Sequence, residues 1–125
     1  MPDVVNLVER CAGLAEHWAP ETVASANGQE FKVARVQREY TWHQHSTADE
    51  TFVVLEEELV VQLRDGEVRL GAGDLYVVPM GMEHRPVSER ETLLLVVEPP
   101  GVVSRGDWGS CEMAAIYLLL IIWWA

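Results

Sequence analysis

Basic residues are scarce in this 125-residue chain, where 9 Lys and Arg stand against 20 Asp and Glu for a formal net charge of -11. A field of that sign repels phosphate backbones and anionic membrane surfaces, so nucleic acid is not an expected partner, and the acidic excess reads as a solubilising surface. Cysteine is scarcer still, with Cys11 and Cys111 a hundred residues apart. The opening MPDVVNLVERC lacks the basic n-region and continuous apolar h-region of a secretory signal. The expected compartment is therefore the cytoplasm, with both thiols reduced and buried ahead of the alternative, a disulfide between them. Long apolar runs are missing except at residues 114–125, AAIYLLLIIWWA. That run falls short of the roughly 20 residues a helix needs to cross a bilayer, so no transmembrane span is expected. It reads as a core or dimer strand, an interfacial anchor or a poorly ordered end. Internal repeats, low-complexity linkers and a glycine-rich phosphate loop are all absent.

Hydrophobic residues make up 49% of the chain, enough to fill one core, and the length allows one domain. Val4, Leu7, Val8, Cys11, Leu14, Ala15 and Trp18 recur at helical spacing, which predicts a helix over residues 3–18 with Asp3 as N-cap and Pro20 beyond its end. His17, in its last turn, reads as structural. Beyond it, short β-prone runs alternate with turn residues such as Asn27-Gly28, Asp65-Gly66, Pro79 to Gly81 and Pro99 to Gly101. Many short strands predict a sandwich or barrel. The clearest hairpin joins residues 59–64 to 67–70 through Asp65-Gly66, and residues 92–97 form an apolar run suited to a strand covered on both faces.

Three of the four histidines fall in two places. In a strand, residues two apart face the same side, so His43 and His45 converge while Gln44 points away. A turn through Ser46 to Asp49 would bring Glu50 onto the next strand, within reach of the imidazoles. His84 follows a segment punctuated by Gly73, Pro79 and Gly81. The charged residues near it, Glu83, Arg85, Glu89, Arg90 and Glu91, read as a solvated loop. The five tryptophans read as packing anchors, with Trp42 the one expected close to the site.

These residues resemble the cupin family, whose motifs are G-x5-H-x-H-x4-E-x6-G and G-x5-P-x-G-x2-H-x3-N. Here the first reads His43, His45 and Glu50, and the second Gly73, Pro79, Gly81 and His84. The likeness spans roughly residues 33–99. The departures are Gln37 and Glu57 in place of the first motif's glycines and Ser88 in place of the second's asparagine.

The resemblance implies an all-β, cupin-type double-stranded β-helix, or jelly-roll barrel, with a short N-terminal helix. Residues 1–20 would be the helix packed on the barrel, 21–107 the barrel and 108–125 the apolar tail. It implies one divalent ion on His43, His45, Glu50 and His84, and the mixed N and O donors suit Fe, Mn, Ni, Cu or Zn. Strand parity would place Phe52, Val54, Tyr76, Val78, Met80 and Met82 around an apolar substrate pocket. The implied activity is that of a metal-dependent enzyme on a small molecule, a dioxygenase before an isomerase or decarboxylase, with Glu50 both ligand and proton carrier. A non-catalytic module that binds or senses a small ligand is the alternative. Relatives of this size pair as homodimers, which is the expectation here.

Overall fold

The computed structural model describes residues 3–106. The expectations for Cys111, for the tryptophans at 108, 123 and 124 and for the apolar run 114–125 lie outside the described residues. One helix, α1 (Leu7–Ala12), precedes seven strands: β1 (Glu21–Ala26), β2 (Gln29–Glu39), β3 (Glu50–Glu56), β4 (Glu58–Leu63), β5 (Gly66–Gly71), β6 (Leu75–Val78) and β7 (His84–Glu98). The expected all-β class with a short N-terminal helix is what forms.

Strand β7 organises the rest. Neighbouring strands run in the order β1-β2-β7-β3-β6, and the β4–β5 hairpin joins through β7 as well. Strand β2 follows β7 along nearly its whole length, from Glu30↔Glu98 to Glu39↔Val87. On its other side β7 changes partner, pairing with β4 over His84 to Val87 and with β3 over Leu93 to Val97. The stretch after His84, expected as a solvated loop, is therefore the first half of this strand, because its residues find ladder partners on both sides.

At the change of partner two buried hydroxyls replace the missing ladder. Ser88 Oγ and Thr92 Oγ1 lie 2.6 Å apart, and each is 3.0 Å from the Glu58 carbonyl oxygen. Ser88, where the family motif has asparagine, thus has a structural task of its own. Across from it, Glu57 takes φ 69° between β3 and β4. This is the left-handed region that glycine enters without steric cost. At the other departure the left-handed residue is Arg38, φ 68°, rather than Gln37, because a bulge between Val36 and Arg38 shifts the register of β2.

Alternation along β7 separates two cores. Leu94 and Val96 join Ala34, Val36, Val54, Leu59 and Val61 inside the barrel. Leu93 turns outward onto Cys11 and Val33, with Leu7 and Leu14 against them. The run is covered on both faces, as its composition predicts. Cys11 is fully buried, and burial pushes its thiol pKa up.

The helix is shorter than predicted. Asn6, not Asp3, caps it by accepting a hydrogen bond from the Glu9 amide at 3.0 Å, and Gly13 ends it. Val4 is 99% exposed, so a turn begun at Asp3 would gain no packing. Trp18 leaves the helical path at φ 59°, with its amide donating to the Arg35 carbonyl and its indole N–H to that of Gln37. His17 lies beyond the helix, 3.8 Å from Glu91. The 59–70 hairpin also closes one residue earlier than predicted, at Leu63↔Gly66, so that Arg64 and Asp65 form its turn. This register keeps Leu59↔Leu70 and Val61↔Val68 as apolar pairs.

Glu57→Gly relieves a left-handed side chain on an exposed turn, at the cost of a freer unfolded chain. The expected result in urea denaturation is no change or stabilisation of up to about 1 kcal/mol. Clear destabilisation would mean that the Glu57 side chain contributes more than its backbone geometry costs.

Candidate metal centre

The segment carrying His43 and His45 is extended but lies outside any named strand, between β2 and β3. It is pinned by a reciprocal backbone pair, His43 N–H to the His84 carbonyl at 3.0 Å and His84 N–H to the His43 carbonyl at 2.9 Å. Two further bonds fix the turns on either side. The Gly81 amide donates to the His45 carbonyl at 2.8 Å, and the Met80 amide to Asp49 Oδ1 at 2.8 Å. Strand-like alternation survives without a strand, since His43 and His45 are buried while Gln44 is partly exposed.

The result is one cluster. His43, His45, Glu50 and His84 each offer a ligand atom, all within 4.8 Å of one another, and all four side chains are buried. The ring centroids of His43 and His84 are 4.2 Å apart and those of His43 and His45 5.0 Å. Glu50 bridges the other two, with Oε2 3.2 Å from His45 Nε2 and Oε1 3.2 Å from His84 Nε2.

The donor chemistry fits a cation. His43 Nδ1 lies 2.8 Å from the Thr41 carbonyl and His84 Nδ1 3.0 Å from the Met82 carbonyl. A carbonyl only accepts, so each Nδ1 carries a proton, and Nε2 is the nitrogen that each of these two rings turns toward the cluster. Burial, then the neighbouring His84, lowers the His43 pKa to about 4, so this imidazole stays neutral at ordinary pH. Burial alone would raise the Glu50 pKa, but hydrogen bonding to His45 and His84 outweighs it and holds the carboxyl ionised, well below the usual carboxylate range. His43 and Glu50 are thus in the protonation states that coordination requires.

Beside it is a small cleft of about 40 Å³. His43, Glu50 and Phe52 line it together with Trp18, Tyr40 and Glu98. Trp18 stacks on Tyr40 with centroids 4.9 Å apart, and Tyr40 meets His43 edge-on at 5.4 Å. Of the expected pocket residues only Phe52 is in this lining. Val54 and Val78 are in the barrel core, Tyr76 and Met82 pack against that core, and Met80 is exposed. The cause is strand order: the cleft lies under β2, β7 and β3, whereas β6 is on the far side of β3.

Among the described residues Trp18, not Trp42, is the tryptophan that lines the cleft. Trp42 sits beneath the Arg64 guanidinium at 3.9 Å, with that of Arg85 at 5.5 Å. Glu98 was legible in principle, since a charged residue continues the inward Leu94, Val96 register. Its carboxyl is pushed up to about 7 by burial and by the facing Glu50, against the pull of Lys32. The chain after Pro99 also returns to the site. Ser104 lines the cleft, and a Cβ on Gly106 would stand 2.5 Å from the Gln44 carbonyl oxygen and 2.9 Å from His43 Cβ.

Gly106 also has φ 82°, so Gly106→Ala is strained twice and should destabilise the protein by about 1–3 kcal/mol while weakening metal binding. Unchanged unfolding and unchanged metal affinity would show that the return segment does not support the ligands. In metal-free protein, a His43 pKa lowered from 6.5 to about 4 gives stability that is present above 6.5 and lost as pH falls toward 4. The raised Glu98 pKa acts in the opposite sense, giving stability that is present below 4.5 and lost as pH rises through about 7. The His43 contribution therefore appears as a difference: the stability change caused by His43→Gln should shift in favour of the variant between about pH 7.5 and about pH 4. Urea unfolding of both proteins at the two pH values measures it, and an equal change at both would exclude a depressed His43.

The family model for the cupin domain matches residues 30–98. The Bacillus subtilis (strain 168) protein YdbB is 34% identical over 99 residues, covering 78% of this chain and 88% of its own. Among solved structures, a cupin-2 domain protein of Shewanella frigidimarina is 36% identical, with TM-score 0.74 over 77% of this chain and 94% of its own. A hydroquinone 1,2-dioxygenase of Sphingomonas, solved with 4-hydroxybenzoate bound, shares the fold at 18% identity, with TM-score 0.68 over 83% of this chain and 78% of its own. With residues 30–98 matched and the family's His, His, Glu and His brought together in a buried cluster able to bind a metal ion, the chain belongs to the cupin family.

Proposed function

We propose that the protein holds one divalent transition metal ion, of the set Fe, Mn, Ni, Cu or Zn, on His43, His45, His84 and Glu50, and acts on a small chelating molecule as a dioxygenase-like enzyme. One observation carries this reading: the ligand cluster is not sealed, because His43 and Glu50 face an aromatic-walled cleft. A structural ion would be enclosed on all sides. Four protein donors leave one or two positions of a five- or six-coordinate shell for an exogenous ligand. When bound, the ion supplies Lewis-acid polarisation or oxygen activation.

The chain's own residues do the rest. The Thr41 and Met82 carbonyls orient two imidazoles, while Trp18, Tyr40 and Phe52 exclude water from the ligand side. Glu50, held ionised, offers its carboxylate oxygens to a proton leaving the bound molecule. Dioxygenase chemistry is argued by analogy with fold neighbours such as the Sphingomonas enzyme. The small free volume favours, as second reading, a module that binds or senses a small ligand without turnover. No helix among the described residues is long and apolar enough to cross a membrane. We place the protein in the cytoplasm as a homodimer, for which exposed Leu75, Val77 and Met80 on and beside the end strand β6 offer apolar surface.

Adding catechol or oxalate to Fe(II)- or Co(II)-loaded protein should shift its optical spectrum without stripping the ion. Oxygen uptake with the Fe(II) form would mark the enzyme, and a shift without uptake the binding module. An unchanged spectrum at saturating chelator, with metal retained, would contradict an open shell.

A further inference from the structure

The reciprocal hydrogen bonds between His43 and His84 have an outer face. Side chains alternate along each segment, so with both imidazoles buried their neighbours Trp42 and Arg85 lie side by side on the outside of the same pair. Strand β4 continues that face, because Leu63 pairs with His84 and Gln62 with Arg85. Arg64, the residue after β4, reaches over the segment that carries His84. Its guanidinium carbon stands 3.9 Å from the centre of the Trp42 ring, and its Nε lies 2.6 Å from Glu83 Oε2. Arg85 brings a second cation to 5.5 Å and is itself tied to Gln62 at 2.8 Å and to Glu39 at 3.6 Å. Cation–π attraction holds the ring to both guanidiniums. Arg85 belongs to β7 and Arg64 follows directly on β4, whereas Trp42 belongs to the segment outside any named strand. The contact therefore joins the ordered ladder to the stretch that carries two candidate ligands.

We propose that Trp42 is a positioning residue: clasped by Arg64 and Arg85, it latches the segment of His43 and His45 onto the barrel and sets how often these two histidines leave their place. The segment has no strand ladder of its own, so it can open locally while the barrel stays folded. Each opening breaks the His43–His84 pair and parts two ligands from the other two. The latch needs no ion, and only its consequence for ion release rests on the proposed function.

Amide hydrogen exchange on the metal-free full-length protein tests the latch. In Trp42→Ala the His43 and His84 amides should exchange about tenfold faster than in wild type, while amides around Val33↔Leu95 in the β2–β7 ladder keep their wild-type rates. Trp42→Phe keeps a ring for the arginines and should stay within about twofold of wild type. Arg64→Gln changes a side chain that is 51% exposed, so it remains informative if the alanine variant fails to fold, and it should speed the same two amides about threefold. Release of Co(II) from loaded protein to excess EDTA should quicken in the same order. Acceleration of every amide alike, the mark of a residue that only stabilises the barrel, would overturn the latch, and so would unchanged His43 and His84 exchange in both Trp42→Ala and Arg64→Gln. If wild type takes up no cobalt, the proposed function fails while amide exchange still decides the latch.

Discussion

Two backbone hydrogen bonds between His43 and His84 are the constraint on which the site depends. The segment around His43 and His45 has no strand ladder of its own, and this pair, helped by the Gly81 amide on the His45 carbonyl, gives two of the four candidate ligands their place. With it, His43 and His45 are registered against the first residue of β7, and β7 is the strand around which the barrel is ordered. Glu50 begins β3, which pairs with the far half of β7. All four ligand positions are therefore referred to one strand, and the rigidity of the ladder becomes the rigidity of the cluster.

The same strand explains why the cleft opens where it does. Its inward register from Leu94 through Val96 to Glu98 passes from core to cleft, and Glu98 is the point at which apolar packing gives way to a buried carboxyl. Two carboxyls then face one small space. Glu50 is held ionised by its histidines, and Glu98 is raised by burial and by that neighbouring charge. Environments that push two acids apart keep one ionised as a metal-type donor while the other holds its proton toward neutral pH.

Much of this was legible in the sequence because it depends on local spacing. The His43-x-His45 pair, Glu50 and the Gly73, Pro79, Gly81, His84 series encode turns and parity that hold whatever surrounds them, and the apolar 92–97 run reports a strand covered on both sides. What escaped depends on long-range register. Trp18 continues a helical pattern on paper, but its backbone turns left-handed and its ring lies over Tyr40 because β2 carbonyls, not a further helical turn, take its amide and indole hydrogens. The pocket residues expected from β6 were displaced because pairing order, which no local pattern encodes, puts β6 on the wrong side of β3. Gly106 carries no turn motif to announce it; its importance appears only when its backbone lies against Gln44.

The central claim is that four side chains hold one ion in an open shell. X-ray absorption at the metal edge, on protein purified with its metal quantified, tests it most directly. The account predicts one ion per chain with imidazole scattering from three histidines, light-atom oxygen or nitrogen donors completing a five- or six-coordinate shell, and no sulfur. A shell with sulfur, one lacking imidazole scattering, or a closed four-coordinate site would contradict it.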